Sequence, residues 1–506
     1  MSMSLAIVYS RARLGIDAPL VTVEVHLSGG LPAFQIVGLP ETSVKESKDR
    51  VRSALINSGF KFPDCRITVN LAPADLPKEG GRFDLPIAIG ILAAMGEINP
   101  QLLSQYEFCG ELALSGDTRP IIGEIPTAYA CKKAQRVCIL PKANAPHAVL
   151  IKGVGVIGVN NLLAAYHHLL GSIVLEYQQL KFASSGYTNE LDMQDVVGQS
   201  MAKRALEIAA SGGHNLLFSG PAGTGKSMLA QRLTTILPIM SDDEALESAA
   251  IHSICGQTID PNTWKNRPFR CPHHTVSGVA LVGGGSNPRP GEISLSHNGV
   301  LFLDELPEFG RKVLDVLREP LETGKVTISR AIRQAEFPAN FQLIAAMNPS
   351  PTGDHQDGRS SADQVLRYLN RLSGPFLDRI DIQIEVPRLP KGALTQKTDR
   401  GETSAQVRER VVRTRQIQLE RAGKPNALYS TREVDKYCQL SVDDAQFLEN
   451  AIEKLNLSAR AYHKILKVAR TIADIECNQC INRSHLSEAM GYRAMDRLIQ
   501  SLKSQF

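Results

Sequence analysis

From residue 20 to 180, short apolar runs that alternate with polar residues take turns with stretches whose apolar residues recur every three or four positions. "LVTVEVHL", "RITVNLA", "RVCILP" and "GVGVIGV" predict strands, and "ETSVKESKDRVRSALINSG", "LPIAIGILAAM" and "NLLAAYHHLL" predict helices. The alternation predicts an α+β or α/β domain over residues 1–175. The polar "EYQQLKFASSGYTNE", with its Ser-Ser-Gly break, predicts a linker over 176–190. Over 191–395 come stronger strand signals, "HNLLFSG", "GVLFLDEL", "FQLIAAMN" and "DIQIEVP", separated by longer helical segments. That is the pattern of a parallel sheet with crossover helices. Beyond "PRLPKGALTQKTDRGETS" the periodicity is helical: "SARAYHKILKVARTIADIE" sets Ile465, Val468, Ala469 and Ile472 on one face, so residues 396–506 read as a small helical domain.

A chain of 506 residues exceeds the usual ~100 to 200 per domain, in keeping with this division. The charge balance, 56 Lys and Arg against 52 Asp and Glu, excludes a protein that coats nucleic acid with its whole surface, so any such contact is local. No basic segment leads into an apolar core at the start, and the longest apolar run, "LPIAIGILAAMG", falls short of the ~20 residues a membrane helix needs. The nine cysteines are scattered and odd in number, which argues for reduced thiols. A cytoplasmic protein without a membrane partner is expected.

The chemistry gathers in the middle of the chain. "FSGPAGTGKS" fits Gly-x-x-x-x-Gly-Lys-Ser, with an apolar strand before it and the helix-forming "MLAQRL" after it. Gly220, Pro221, Ala222, Gly223, Thr224 and Gly225 form a predicted phosphate loop, whose glycines let backbone N–H groups and the helix N-terminus face phosphates. Lys226 would reach the terminal phosphates of ATP, and Ser227 would ligate Mg2+. Strand "GVLFLDEL" delivers Asp304 and Glu305 at its carboxyl end, where ligands of parallel sheets bind. Asp304 would hold Mg2+ through its water shell, and Glu305 would orient the attacking water.

With "DVVGQSMAKRALEIAASGGHNLLFSGPAGTGKS", "RPFRCPHHTVSGVALVGGGSNPRPGEISLSHNGVLFLDELPEF", "FPANFQLIAAMNPSPTG" and "RYLNRLSGPFLDRIDIQIEVP", the chain resembles the magnesium-chelatase-like AAA+ ATPases of the ComM/YifB family over essentially its whole length. The resemblance implies an α/β fold: a P-loop AAA+ parallel-sheet core with a C-terminal helical lid, behind an α+β Lon-protease-like domain of ribosomal-protein fold. It matches Val197 and Gly198 to nucleotide contacts and Asn348 to the sensor that positions the hydrolytic water. Arg379, in "FLDRID", matches an arginine finger supplied to a neighbouring subunit, and Arg460, in "LSAR", matches the lid's second sensor. A homohexameric ring is implied, acting as an ATP-driven DNA helicase or branch-migration factor in natural transformation.

"VALVGGGSNPRPGEISL" and "KVTISRAIRQAEFPANF" both read as hairpins around polar turns. The resemblance makes them pore hairpins, with Arg289, Arg330 and Arg333 contacting DNA phosphates. Single-stranded, double-stranded and branched DNA all remain open as partners. His252, Cys255, Cys271, His273 and His274 are spaced loosely like zinc ligands, but a packed or hydrogen-bonded role for His273 and His274 is favoured; the isolated "CNQC", Cys477 to Cys480, cannot complete a tetrahedral site.

The front segment resembles the proteolytic domain of Lon, whose chemistry needs a serine activated by a lysine. A gapless match puts Arg82 at the serine and Ile125 at the lysine, so this domain is expected to be catalytically inactive. Lys78 and Glu79 are assigned to turn geometry and surface ion pairing. A chelatase-type or chaperone-like ATPase that remodels a protein without touching DNA is the alternative to the DNA motor.

Overall fold

The alternation in the front segment builds a seven-stranded mixed sheet in the computed structural model, which describes residues 4–39, 41–180, 191–285, 288–329, 334–353, 360–390, 401–454 and 457–503. Its strands are β1 (Ser4–Arg11), β2 (Leu20–Ser28), β3 (Ala33–Val37), β4 (Arg66–Ala72) and β5 (Tyr106–Phe108), then, past a small β6 (Glu111–Leu112) and β7 (Thr118–Arg119) hairpin, β8 (Val137–Pro141) and β9 (Val156–Val159). The order is β3-β4-β2-β1-β5-β8-β9, with β1/β2 and β2/β4 antiparallel and the other pairs parallel. Val21, Val23 and Val25 alternate inward on β2, against the wholly buried helix Asp84–Ala94. Strand β1 had no sequence signal because it buries Ala6, Val8 and Ser10 and turns Leu5 and Ile7 outward.

The central segment forms an all-parallel sheet of β10 (Leu216–Ser219), β11 (Phe269–Arg270), β14 (Val300–Leu303), β17 (Gln342–Met347) and β18 (Ile382–Glu385), ordered β11-β14-β17-β10-β18. Two hairpins stand off it: β12 (Gly283–Gly284) with β13 (Arg289–Pro290), and β15 (Lys325–Ser329) with β16 (Gln334–Pro338). The first differs from expectation. Its apolar arms are helical, Gly278–Val282 and Glu292–Leu295, leaving two residue pairs in the ladder. The Ser277 side chain caps the first arm by accepting from Ala280 N–H, and Gly283 and Gly284 form one side of the ladder. The tip Arg330–Arg333 of the second hairpin lies outside the described residues.

After residue 400 the described residues are helical. Ile465, Val468, Ala469 and Ile472 are buried on helix Ala459–Ile475, in one apolar cluster with Leu216, Phe218 and Leu229. The helical segment therefore shares its core with the central sheet. Helix Asp242–Ile254 lies against helix Glu124–Lys133 of the front segment, Ala249 packing with Ile125 and Ala128. The Ser253 hydroxyl donates to Glu124 at 2.8 Å. Asp242 pairs with both Lys152 and Lys265, which hold its carboxyl down to about 2. Residues 181–190, most of the expected linker, lie outside the described residues.

Candidate functional site

Strand β10 ends at Ser219 and the chain turns at Gly220, where a Cβ would stand 2.2 Å from the Val386 carbonyl oxygen. Only glycine fits there, because the backbone just beyond β18 passes directly behind the loop. The loop runs into the N-terminus of helix Lys226–Ile236, and Lys226 folds back across it. Its ammonium donates to the Gly220 carbonyl at 2.7 Å, the Pro221 carbonyl at 2.9 Å and Asn348 Oδ1 at 3.2 Å. Burial lowers the Lys226 pKa, against the pull of Asp304.

A cavity of about 350 Å³ opens over this turn, lined by Ala222 to Met228, Asp304, Glu305, Met347 and Asn348. It lies at the carboxyl ends of β10, β14 and β17, the end of a parallel sheet where ligands bind. Ser227 Oγ donates to Asp304 Oδ2 at 2.6 Å, so a hydroxyl and a carboxylate meet at one point. Hard oxygen donors of this kind suit Mg2+.

Glu305 stands just beyond Asp304 with φ 54°, a left-handed backbone that lifts its side chain off the strand direction. Its carboxylate meets His274 Nδ1 at 3.1 Å. That histidine packs edge-on to Phe309 and lies against His273 with the rings tilted by 34°; His273 Nδ1 pairs with the Thr275 hydroxyl at 2.9 Å. Residue spacing gave no sign of the His274–Glu305 contact, which depends on β11 and β14 lying side by side. Among the described residues no group of three His, Cys, Asp or Glu side chains is placed to hold a metal, and His252 instead meets Gln257 at 2.6 Å.

Other expected contacts lie elsewhere. Gly220 and Pro221 meet Lys226 from below and do not line the cavity. Val197 and Gly198 sit on an exposed loop off the lining, tied to it through Gln199, whose amide donates to the Thr224 and Pro387 carbonyls. Arg379 pairs with Glu322 and Arg460 with Asp378 at 3.3 Å; neither lines the cavity. Arg289 is exposed on β13, and Arg330 and Arg333 fall outside the described residues.

In the front segment Arg82 is buried, donating to the Ile122 carbonyl at 3.2 Å and Thr127 Oγ1 at 3.4 Å, with Ile125 buried nearby. Desolvation lowers its pKa. Lys78 overturns its expectation: it is fully buried, its ammonium on the Pro73 carbonyl rather than in a surface ion pair. Glu79 does pair at the surface, with Arg13 at 3.1 Å.

Three sequence models from one enzyme family match in order: magnesium chelatase subunit ChlI over residues 192–394, the ChlI subunit over 23–144, and the ChlI C-terminal region over 401–493. The chain is also 58% identical to competence protein ComM of Haemophilus influenzae, covering 99% of this chain and all of that one. It belongs to the ComM/YifB family of magnesium-chelatase-like AAA+ proteins. The uncharacterized YifB of Escherichia coli is 52% identical over 99% of both chains. A magnesium-chelatase 38 kDa subunit of Cereibacter sphaeroides is 25% identical over 30% of this chain and 51% of its own. The match to the front segment is to a chelatase-family model, and the proposed kinship with Lon rests on its sequence pattern alone.

Proposed function

We propose that this chain hydrolyses ATP as one subunit of a homohexameric ring that drives DNA through its pore and moves branched recombination intermediates during natural transformation. The observation that carries the ATPase half is the gathering of Lys226, Ser227, Asp304, Glu305 and Asn348 from three parallel strand ends around one cavity. Backbone N–H groups of Gly223 to Ser227 would cradle the phosphates, and Lys226 would exchange its loop carbonyls for phosphate oxygens. Ser227 and Asp304 would hold Mg2+, which supplies charge neutralisation on the β- and γ-phosphates. Glu305 and Asn348 would then orient the attacking water.

Arg379 and Arg460 stand off the chain's own cavity, which supports their acting on the nucleotide of a neighbour. The DNA half rests on the printed name of the Haemophilus relative and on the two hairpins, one carrying exposed Arg289. The chelatase name of the family models favours a second reading, remodelling of a protein partner. ATP turnover measured with and without single-stranded, double-stranded and four-way-junction DNA, alongside junction movement, separates the two. Stimulated turnover with junction movement is expected; the absence of both overturns the DNA motor and favours the protein-remodelling reading.

A further inference from the structure

A second cavity, of about 550 Å³, lies at the opposite end of the central sheet, bounded by the amino ends of β10, β14 and β17 and by the helices after residue 400. Six cations line it against three carboxylates. The carboxylates are already taken: Glu244 by Arg267 at 3.1 Å, Glu322 by Arg379, and Asp381 by Lys464 at 3.0 Å. A fourth cation, Lys325, pairs with Glu336 at 2.7 Å.

Arg415 and Lys467 remain. Among the described residues neither has a carboxylate at ion-pair distance, and each reaches only backbone carbonyls: Arg415 those of Ser211 at 3.0 Å and Ala210 at 2.6 Å, Lys467 that of Ala427 at 3.0 Å. Both reach the same short stretch of chain: a Cβ on Gly213 would lie 3.4 Å from Pro425 and 3.7 Å from the Arg415 guanidinium, and Lys467 donates to the carbonyl of Ala427, two residues on. Burial lowers the pKa of each, and that of Arg415 falls to about 10. Two partly desolvated cations without counter-charge are costly unless an anion joins them. A guanidinium beside an ammonium is the donor set that takes a phosphate group. Phe341, Leu237 and Leu428 in the same lining offer an apolar surface to a flat group, and the volume falls within the ~300 to 1,000 Å³ typical of small-molecule sites.

We propose that this cavity binds a small molecule with a phosphate chain, of nucleotide size, at Arg415 and Lys467 and apart from the phosphate loop. The site does not depend on the DNA reading. The full-length Lys226→Ala chain, with its phosphate loop disabled, is titrated calorimetrically with ADP and with pyrophosphate. About one equivalent of either bound per chain is expected, weakened at least ~10-fold by Lys467→Gln, the scale of one lost charge-assisted hydrogen bond, and likewise by Arg415→Gln. Binding of ADP alone marks a nucleotide as the occupant; equal binding of pyrophosphate marks the phosphate chain itself. Lys467 is partly exposed, so a Lys467→Gln chain with an unchanged melting temperature keeps the comparison sound even where Arg415→Gln fails to fold. No binding to Lys226→Ala, or binding that Lys467→Gln leaves unchanged, overturns the proposal.

Discussion

His274 holds the carboxylate of Glu305 from outside the cavity that Glu305 lines, so the group expected to orient water is engaged sideways. Removing the tether in His274→Ala frees it, and DNA-free ATP turnover is expected to rise severalfold at unchanged KM. Steady-state kinetics check this, and a fall in kcat would show that His274 aids catalysis directly. A second residue-scale prediction concerns Glu107, fully buried with Arg11 at 2.6 and 2.7 Å, Arg136 at 3.0 Å and the Cys131 thiol at 3.1 Å. Burial pushes its pKa up, yet Arg11 and its companions outweigh that and hold it below the ordinary 4.5. A lowered carboxylate pKa stabilises the fold above the unfolded value and ceases to as pH falls through the folded one, so thermal stability should decline below about pH 4.5. Glu107→Ala, which strands two arginines, should cost ~3 to 5 kcal/mol by denaturant unfolding and flatten that decline. The strand-loop-helix around Gly220 to Ser227 could be read from the sequence because its residues are consecutive. The His274–Glu305 contact could not, since His274 comes from the turn after a neighbouring strand, and Lys78 was misplaced because a lysine beside a turn ordinarily faces water.

At the scale of elements, the long apolar strands of the central sheet were legible because burial on both faces makes them apolar throughout. Strand β1 was not, since its large residues point away from the core. The first hairpin was misjudged because four-residue apolar runs fit a short helix as well as a strand. Its ladder now hangs on Gly283, which has φ 109° and stands where a Cβ would lie 2.2 Å from the Arg289 carbonyl oxygen. Gly283→Ala should therefore break the pairing that presents Arg289. The expected outcome is DNA stimulation of turnover reduced by half or more with ATP affinity retained, read by ATPase titration against DNA and by nucleotide binding.

At the scale of the whole molecule, periodicity divides the chain into segments but says nothing of which elements share a core. The helical segment and the sheet prove continuous in packing, and the front segment is joined through Glu124, Asp242 and their partners. The position of Arg379 away from its own cavity leads to a test by mixing. Arg379→Ala and Glu305→Gln chains should each lose turnover, the former by ~10³ or more. Mixed together they should recover part of it, because some sites then pair an intact Glu305 with an intact Arg379 from next door. An absence of recovery would place the arginine's action within its own chain.

Asn215, at the amino end of β10, donates its side-chain amide to the Arg379 carbonyl at 2.9 Å and accepts from Leu343 N–H at 2.8 Å. The phosphate loop begins at the other end of the same four-residue strand, roughly 13 Å away at ~3.3 Å per residue. A strand so short and paired on both sides has no slack, so in the proposed ring it would act as a ruler between one subunit's own ATP site and the arginine it offers the next. If the proposed ring closes, the consequence is one of timing: a shift at one site would pass to its neighbour, and the sites would fire in sequence. Asn215→Ala, which cuts the ruler at its far end, should bring the Hill coefficient for ATP toward one while each site keeps most of its turnover.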